Sequence, residues 1–365
     1  MNEMKKQQIR TIYIPISNQS NKYVELVQTS MKQNGISVSG IKDSLNIIKL
    51  CQTDIVNLNW FEGRVNKKRI VSCIGAYIAN SVLLSVLKLF GIKIVVTIHN
   101  GNTHDAHHPE IVRRFYKKIC NKAHALVIMN EYSKQVLAQM GVKHVDEKSI
   151  LIHHPSYTGA YEASKKKMEL APEFFHVAFI GQVRPYKNIE LILQVAEQLK
   201  EEKICFHICG YADQEAYRHK IEMLAEGKNV SLHLKYIEDD EMAGWMDAVD
   251  AVLLPYNMKT SLNSGVSILA FSYGTTVIGT KTGTLREYPE ELVYAYEYAN
   301  DEEHIQNLAQ NIRRAYAEFV ADRAAFAQKG AELKRLVNEK GSIEKIGQQY
   351  RMLYEKLARA NCKEK

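Results

Sequence analysis

The sequence predicts two doubly wound α/β domains of similar size followed by a helical tail. Three observations carry this reading. Strand-like and helix-like segments alternate from one end of the chain to the other. The strand-like segments are continuous apolar runs, the pattern of parallel strands covered by helices on both faces. The alternation also starts afresh after a polar stretch near the middle, and 365 residues suit two domains at ~100–200 residues each.

In the first half, RTIYIPI (10–16) reads as a strand and residues 21–33 as a helix. DIVNLNW (54–60) is the next strand. IVSCIGAYIANSVLLSVL (70–87) then runs eighteen residues without a charge, at the lower length limit for a membrane-spanning helix. Ser72, Asn80, Ser81 and Ser85 interrupt it and the β-branched IKIVVTI follows at once, so a buried helix of the α/β layer is expected. Lys67, Lys68 and Arg69 just ahead of it fit either a solvated helix start or a contact with anionic lipid. KIVVTIHN (93–100) is a strand, Pro109 stands in the first turn of a helix, ALVIMN (125–130) is a strand, residues 131–140 a helix and SILIHHP (149–155) a strand.

TGAYEASKKKMELAPE (158–173) has no periodicity and reads as a linker. The second half opens with the strand HVAFIG (176–181), a helix over 189–199, the strand ICFHICG (204–210), a helix over 215–225 and the strand VSLHLKYI (230–237). A helix over 239–250, the strand AVLLPY (251–256), a helix over 265–273 and the strand TTVIGT (275–280) follow. The remainder reads as helical, and Ile343, Ile346, Tyr350, Leu353, Tyr354 and Leu357 form an apolar stripe on the last helix. The expected division is 1–157, a linker at 158–173, a second domain at 174–340 and a tail helix at 341–365.

Composition removes several functions. With 48 basic and 41 acidic residues the net charge is +7, enough to favour an anionic ligand or lipid headgroups. The basic residues are dispersed and no aromatic–basic motif occurs, so no nucleic-acid partner is expected. The six cysteines (51, 73, 120, 205, 209, 362) include no C-x-x-C pair, which fits neither a disulfide framework nor a zinc site and suits a reducing, cytoplasmic compartment. The N-terminal MNEMKKQQIRTIYIPI lacks the apolar core of a signal peptide. No G-x-G, no P-loop and no D-x-D occurs, so a bound diphosphate would be neutralised by protein cations and not through a carboxylate-held metal.

In doubly wound sheets ligands bind beyond the carboxyl ends of the strands, and with two domains the cleft between them is the expected site. After HVAFIG comes GQVRPYKN, where Arg184 and Lys187 open a helix as a candidate anion site, or as two solvated loop cations. After AVLLPY, Ser264 and Gly265 start a helix with Ser261 nearby, a second anion cradle or an ordinary serine cap. HNGNTHDAHHPE (99–110) holds four histidines, Asn100 and Asp105, suited to acid–base work or sugar positioning. A structural polar loop is the plain alternative, and no spacing there matches a known metal-ligand set.

These motifs together resemble the GT-B glycosyltransferases, in particular the bacterial exopolysaccharide, family-4-like enzymes. FIGQVRPYKNIELILQVAEQL resembles the opening of their C-terminal domain, with its G-x-x-R-x-x-K. LLPYNMKTSLNSGVSILAFSYGTTVIGTKTG resembles their donor segment, DIVNLNWFEG their D-I-V-h-x-H-W-P-E stretch and TIHNGNTHD their T-V-H-N loop. The resemblance implies transfer of a sugar from a nucleotide-diphosphate sugar to a hydroxyl acceptor, a lipid-linked oligosaccharide in bacterial polysaccharide synthesis. It implies no metal or other cofactor, and a tail helix returning to the first domain. It also implies a cytoplasmic enzyme resting peripherally on the inner face of the plasma membrane. Carried over residue by residue, Arg184 and Lys187 match the cations that hold the donor diphosphate and Ser264 and Gly265 the helix start that contacts ribose or phosphate, with Gly181, Asn188, Gly210, Tyr256, Ser261 and Val266 expected beside them in the donor site. Asn18 and Asn100 position the acceptor or sugar. His99, His104 and Asp105 are the catalytic candidates, with Asp105 the base if transfer inverts. The glutamate pair E-x7-E of many relatives falls here on Ser261 and Leu269, so the usual ribose carboxylate is missing. An epimerase or phosphorylase on the same fold, or a non-catalytic nucleotide-sugar-binding module, are the competing readings.

Overall fold

The computed structural model describes residues 8–18, 21–42, 46–101, 106–161, 168–258 and 261–363. Contacts divide the chain into two units, Met1–Pro155 with Gly341–Lys365, and Ser156–Lys340.

The first unit holds an all-parallel sheet in the order β2-β1-β3-β4-β5-β6. Its strands are β1 (Ile9–Ile14), β2 (Ile36–Ser39), β3 (Ile55–Asn59), β4 (Lys93–Thr97), β5 (Ala125–Ile128) and β6 (Ser149–Leu151). The connections carry α1 (Tyr23–Gln33), α2 (Ile47–Cys51), α3 (Ile70–Leu89), α4 (Pro109–Lys122), α5 (Tyr132–Gln139) and α6 (Val145–Lys148). The second unit holds a parallel sheet in the order β12-β11-β10-β7-β8-β9. Its strands are β7 (Phe175–Ile180), β8 (Ile204–Cys209), β9 (Val230–His233), β10 (Ala251–Leu254), β11 (Thr276–Thr280) and β12 (Tyr294–Tyr296). Its helices are α7 (Ile189–Gln198), α8 (Glu215–Ala225), α9 (Asp239–Ala248), α10 (Gly265–Tyr273), α11 (Asp301–Ala321) and α12 (Arg323–Gly341). The strand order reverses between β1 and β3 in one sheet and between β7 and β10 in the other, the switch points at which such sheets bind ligands.

The last helix, α13 (Ile343–Lys363), belongs to the first unit. Its stripe does the work of a core helix: Ile346, Tyr350, Leu353 and Tyr354 are buried in the same cluster as Tyr13, Tyr23, Val27 and Met31. Burying each such side chain is worth about 1.5–3 kcal/mol. Gly347 permits the approach to α1, since a Cβ there would meet Ser30 O at 2.3 Å.

Three expectations need correction. β2 and β12 were not expected as strands. Both are short edge strands, and ISVS and YAY are too brief to register as apolar runs. The strand expected over 230–237 ends at His233, because its partner β8 ends at Cys209 and offers nothing further to pair with. The apolar segment at 70–87 forms a helix, but not a buried one. Only Cys73, Asn80, Leu84 and Leu87 of α3 are buried, while Val71 is 77% and Leu89 85% exposed. Apolar residues surround this helix on all sides, and the unit covers a single stripe of it.

Candidate functional site

In the second unit, the loop after β7 leads through Gly181 and Arg184 into a 3-10 turn, Pro185–Lys187. Asn188 then adopts a left-handed conformation (φ 58°) that redirects the chain into α7. Its Nδ2 donates to Pro255 O at 2.8 Å, tying this turn to the exit of β10 across the switch point. The tie brings Lys187 Nζ to 3.9 Å from the centre of the Tyr256 ring. Tyr256 is buried, and its hydroxyl is close enough to Ser264 to interact with its side chain. Ser264 caps α10: its Oγ accepts the Ser267 N–H at 3.1 Å, and its own N–H donates to Thr284 Oγ1 at 2.9 Å. Gly265 and Val266 come next, half-exposed, and as the first two residues of the helix they have no intrahelical acceptor for their N–H groups. Lys187, Asn188, Tyr256, Ser264, Gly265 and Val266 therefore meet at one place. Ser261 is buried beside them in sequence, with its N–H on Asn257 O.

Gly181 (φ +145°) and Gly210 (φ +143°) end β7 and β8 in conformations that L-residues avoid. They are packed backbone to backbone: a Cβ on Gly210 would lie 1.8 Å from Gly181 O. This lets the two loops run side by side, with Val183 N–H on Tyr211 O at 3.0 Å. It also brings Arg184 against Asp213, 2.7 Å apart. Arg184 is thus paired with a carboxylate 29 residues away, a partner that the sequence reading does not name. Lys187 differs. No carboxylate among the described residues pairs with it, and burial pushes its pKa down from 10.5, assisted by the Arg184 charge and opposed by Tyr186. An amine held this way, against the Tyr256 ring that leads toward the start of α10, is suited to an anion.

In the first unit, the strand ends of β1, β3 and β4 carry a buried polar network. Asn57 Nδ2 donates to Tyr354 OH of α13 at 2.8 Å, and Thr97 Oγ1 donates to Asn57 Oδ1 at 3.1 Å. Asn59 Nδ2 donates to Ile14 O at 3.2 Å, which turns Oδ1 toward His99 Nε2 at 3.0 Å, so this nitrogen carries the proton. Trp60, left-handed at φ 47°, stacks on the His99 ring with centroids 3.7 Å apart. Burial, reinforced by His154, holds the His99 pKa well below 6.5. A neutral ring so fixed is a weak base, and it positions the loop that follows. Asn100 is half-buried and its carbonyl accepts from Tyr116 OH at 3.0 Å. Asn18 is half-buried beyond the end of β1. His104 and Asp105 lie outside the described residues.

Sequence reasoning missed several partners: Asp213, Thr284, the Asn57–Asn59 pair, Tyr354 and Glu62. Glu62 is buried on the turn after β3, and desolvation raises its pKa to about 7. It lies in the quoted DIVNLNWFEG stretch, the one signal that pointed toward it.

A family model described as glycosyl transferases, group 1, matches residues 175–318. The chain is 24% identical over 271 residues to a GDP-mannose:glycolipid 4-beta-D-mannosyltransferase of Xanthomonas campestris pv. campestris, across 73% of each protein. Among solved structures it is similar to Anabaena HepE in complex with UDP and glucose (TM-score 0.66, 13% identity, 95% of this chain and 100% of that one). It is also similar to sucrose-phosphate synthase from Thermosynechococcus elongatus (TM-score 0.67, 19% identity, 85% and 75%). The match over 175–318 takes in the loops after β7, β8 and β10 and the start of α10, where Lys187, Tyr256 and Ser264 gather. Residues 175–318 thus match the group 1 glycosyl transferases, and each unit carries the parallel six-stranded sheet of the GT-B fold seen in the similar solved structures.

Proposed function

We propose that the enzyme transfers a hexosyl group to a hydroxyl of a lipid-linked saccharide, without a metal, and that Lys187 is the principal cation for the departing diphosphate. The observation that carries this is the Lys187 amine, without a carboxylate partner among the described residues, set on the Tyr256 ring at the switch point of the second sheet. In the reaction the anomeric C–O bond breaks with its electron pair going to the diphosphate. The acceptor oxygen bonds to the anomeric carbon, and the hydroxyl proton leaves it. Lys187 and the N–H groups of Gly265 and Val266 meet the growing negative charge as preorganised donors. In an inverting transfer Asp105 takes the proton; in a retaining one it passes to the leaving diphosphate and the 99–105 segment orients the sugar. The lipid-linked acceptor is supported by the glycolipid named for the Xanthomonas relative.

The test is a thermal-shift screen of nucleoside diphosphates and their sugars, followed by transfer assays with extracted lipid-linked saccharides in the presence of EDTA. A matching donor raises Tm by an amount that grows as RT ln(1 + [L]/Kd), and product forms on the lipid fraction with EDTA present. Donor conversion with no acceptor added would identify an epimerase. Donor binding with no turnover across the panel would identify a binding module. Loss of turnover in EDTA, restored by a divalent ion, would end the metal-independent reading.

A further inference from the structure

The face of α3 that the fold leaves uncovered is continuous and apolar. Val71, Ile74, Ile78 and Val82 follow one another at spacings of three and four, and are 77%, 46%, 58% and 55% exposed. Leu89 and Phe90 extend the strip at the helix end, 85% and 39% exposed. Soluble monomers rarely leave so long an apolar strip in water.

Within the sequence around this helix the charge is all of one sign. From Gly63 to His104 there is no Asp or Glu, while Arg64, Lys67, Lys68, Arg69, Lys88 and Lys93 are present. Lys67, Lys68 and Arg69 stand exposed at the start of the helix and Lys88 near its end. The charged groups felt by Lys88 are Lys122, Lys148 and Lys93. Along one flank, Lys118 and Lys122 of α4 donate to Ser81 Oγ and Ser85 Oγ, each at 2.8 Å. An apolar strip bordered by cations is complementary to a bilayer with anionic headgroups.

The helix is long and apolar enough to cross a membrane, but its connections forbid that. It joins β3 to β4, which pair directly from Ile55↔Lys93 to Asn59↔Thr97, so both its ends are fixed to the sheet. Its other face stays packed through Cys73, Leu84 and Leu87. A helix so held can only lie flat on a surface. The basic end also adjoins the acceptor-side loop, since His107 N–H donates to Asn66 Oδ1 at 2.9 Å and His108 Nε2 lies 3.1 Å from Lys68 O.

We propose that α3 lies in the interface of an anionic lipid bilayer, its apolar strip among the acyl chains and Lys67, Lys68, Arg69 and Lys88 on headgroup phosphates. This goes beyond the lipid-linked acceptor and stands apart from it. A soluble acceptor would leave bilayer binding intact, and a failure to bind vesicles would leave transfer intact.

The test is flotation of the full chain with vesicles of phosphatidylcholine alone or mixed with phosphatidylglycerol. The protein floats with the mixed vesicles at low salt, and high salt or omission of phosphatidylglycerol weakens this. Replacing Lys67, Lys68 and Arg69 together by Ala reduces partitioning about 100-fold, at roughly fivefold for each basic residue. Ile78→Glu with Val82→Glu abolishes flotation while Tm and the donor-induced shift stay as in wild type. Because the Lys/Arg→Ala set touches no packed side chain, it gives an independent reading should the glutamate pair disturb folding. Absence of flotation at low salt overturns the proposal, as does flotation that neither set changes. A concentration-dependent dimer dissolved by Ile78→Glu, with no vesicle binding, would assign the strip to a second copy of the chain.

Discussion

Lys187→Met separates what this side chain does for catalysis from what it does for stability, because the two should move in opposite directions. Methionine keeps an unbranched apolar stem over Tyr256 and removes the charge. In the transition state the loss resembles removal of one oxyanion donor, about 2.7–4 kcal/mol, or roughly 10²–10³ in kcat. In the free protein two terms compete. The ammonium group 3.9 Å from the Tyr256 centroid gains roughly 0.5–2 kcal/mol from the ring face. Against this, the group is desolvated with no carboxylate partner among the described residues, and burial lowers its pKa. A folded pKa below the unfolded value of 10.5 means that the unfolded chain binds more protons between the two values. Wild-type stability therefore rises with pH across that window, and at neutral pH the full penalty of the buried charge is present.

The expected variant is therefore at least as stable as wild type at pH 7, with its stability no longer rising in the alkaline window, while turnover falls 10²–10³-fold and the thermal shift given by a nucleoside diphosphate shrinks. Lys187→Arg, which keeps the charge, should recover part of both. The assays are differential scanning fluorimetry with and without donor, and single-turnover transfer. A variant that loses several degrees in Tm yet turns over normally would refute the argument, since Lys187 would then be a structural residue.

Gly210→Ala should destabilise the second unit by about 3 kcal/mol or more. The new Cβ would lie 1.8 Å from Gly181 O at a backbone angle that itself costs roughly 1–3 kcal/mol, and at 2–4 °C per kcal/mol the Tm should fall by roughly 6–12 °C. Gly181→Ala, whose Cβ would meet nothing nearer than 3.9 Å, should cost less; equal losses would show that the close approach is not what matters. At acid pH, stability should decline as pH falls from 6.5 through about 4, because His207 has its pKa lowered to about 4 by burial and by the neighbouring His176 and His233. The unfolded chain binds the extra proton in that window, so about 3 kcal/mol is lost by its lower end. His207→Gln should flatten the slope of denaturant-derived stability against pH there, and an unchanged slope would remove His207 as the cause.

The parts of this molecule that were legible in the sequence are those fixed by neighbours a few residues away. Residues 215–225 and 265–273 form helices over those same residues, because their starts, stops and apolar spacing are local. The positions of Lys187 and Ser264 after their strands followed from the same rhythm, since a doubly wound sheet delivers the residue after each strand to the ligand side. What could not be read depends on which surface meets which. The helicity of α3 was plain from composition, but an apolar segment carries no mark of whether protein will cover it. The pairing of Arg184 was not legible, because Asp213 reaches it only after β7 and β8 pair and Gly181 and Gly210 interlock. The proton-sharing pair His176 and His207 is likewise created by adjacent strands, Nδ1 to Nε2 at 3.0 Å.

His176 and His207 also explain why a buried imidazole pair can persist beneath a catalytic sheet without being part of the chemistry. His176 Nε2 faces Ala171 O at 2.8 Å, and a carbonyl only accepts, so this nitrogen is protonated. Nδ1 of His176 must then accept, and the donor is Nε2 of His207. That leaves the Nδ1 of His207 buried and without a hydrogen-bond partner. A second proton could enter only there, where nothing receives it, or on His176 Nδ1, where it would break the one bond the pair shares. Burial and the neighbouring imidazoles accordingly hold the His207 pKa down at about 4. Lys187 shows a different arrangement on the same sheet, a desolvated nitrogen on the Tyr256 ring with no carboxylate partner among the described residues. Desolvation lowers the pKa of both Lys187 and His207. What distinguishes Lys187 is its place after β7, at the switch point where doubly wound sheets bind ligands.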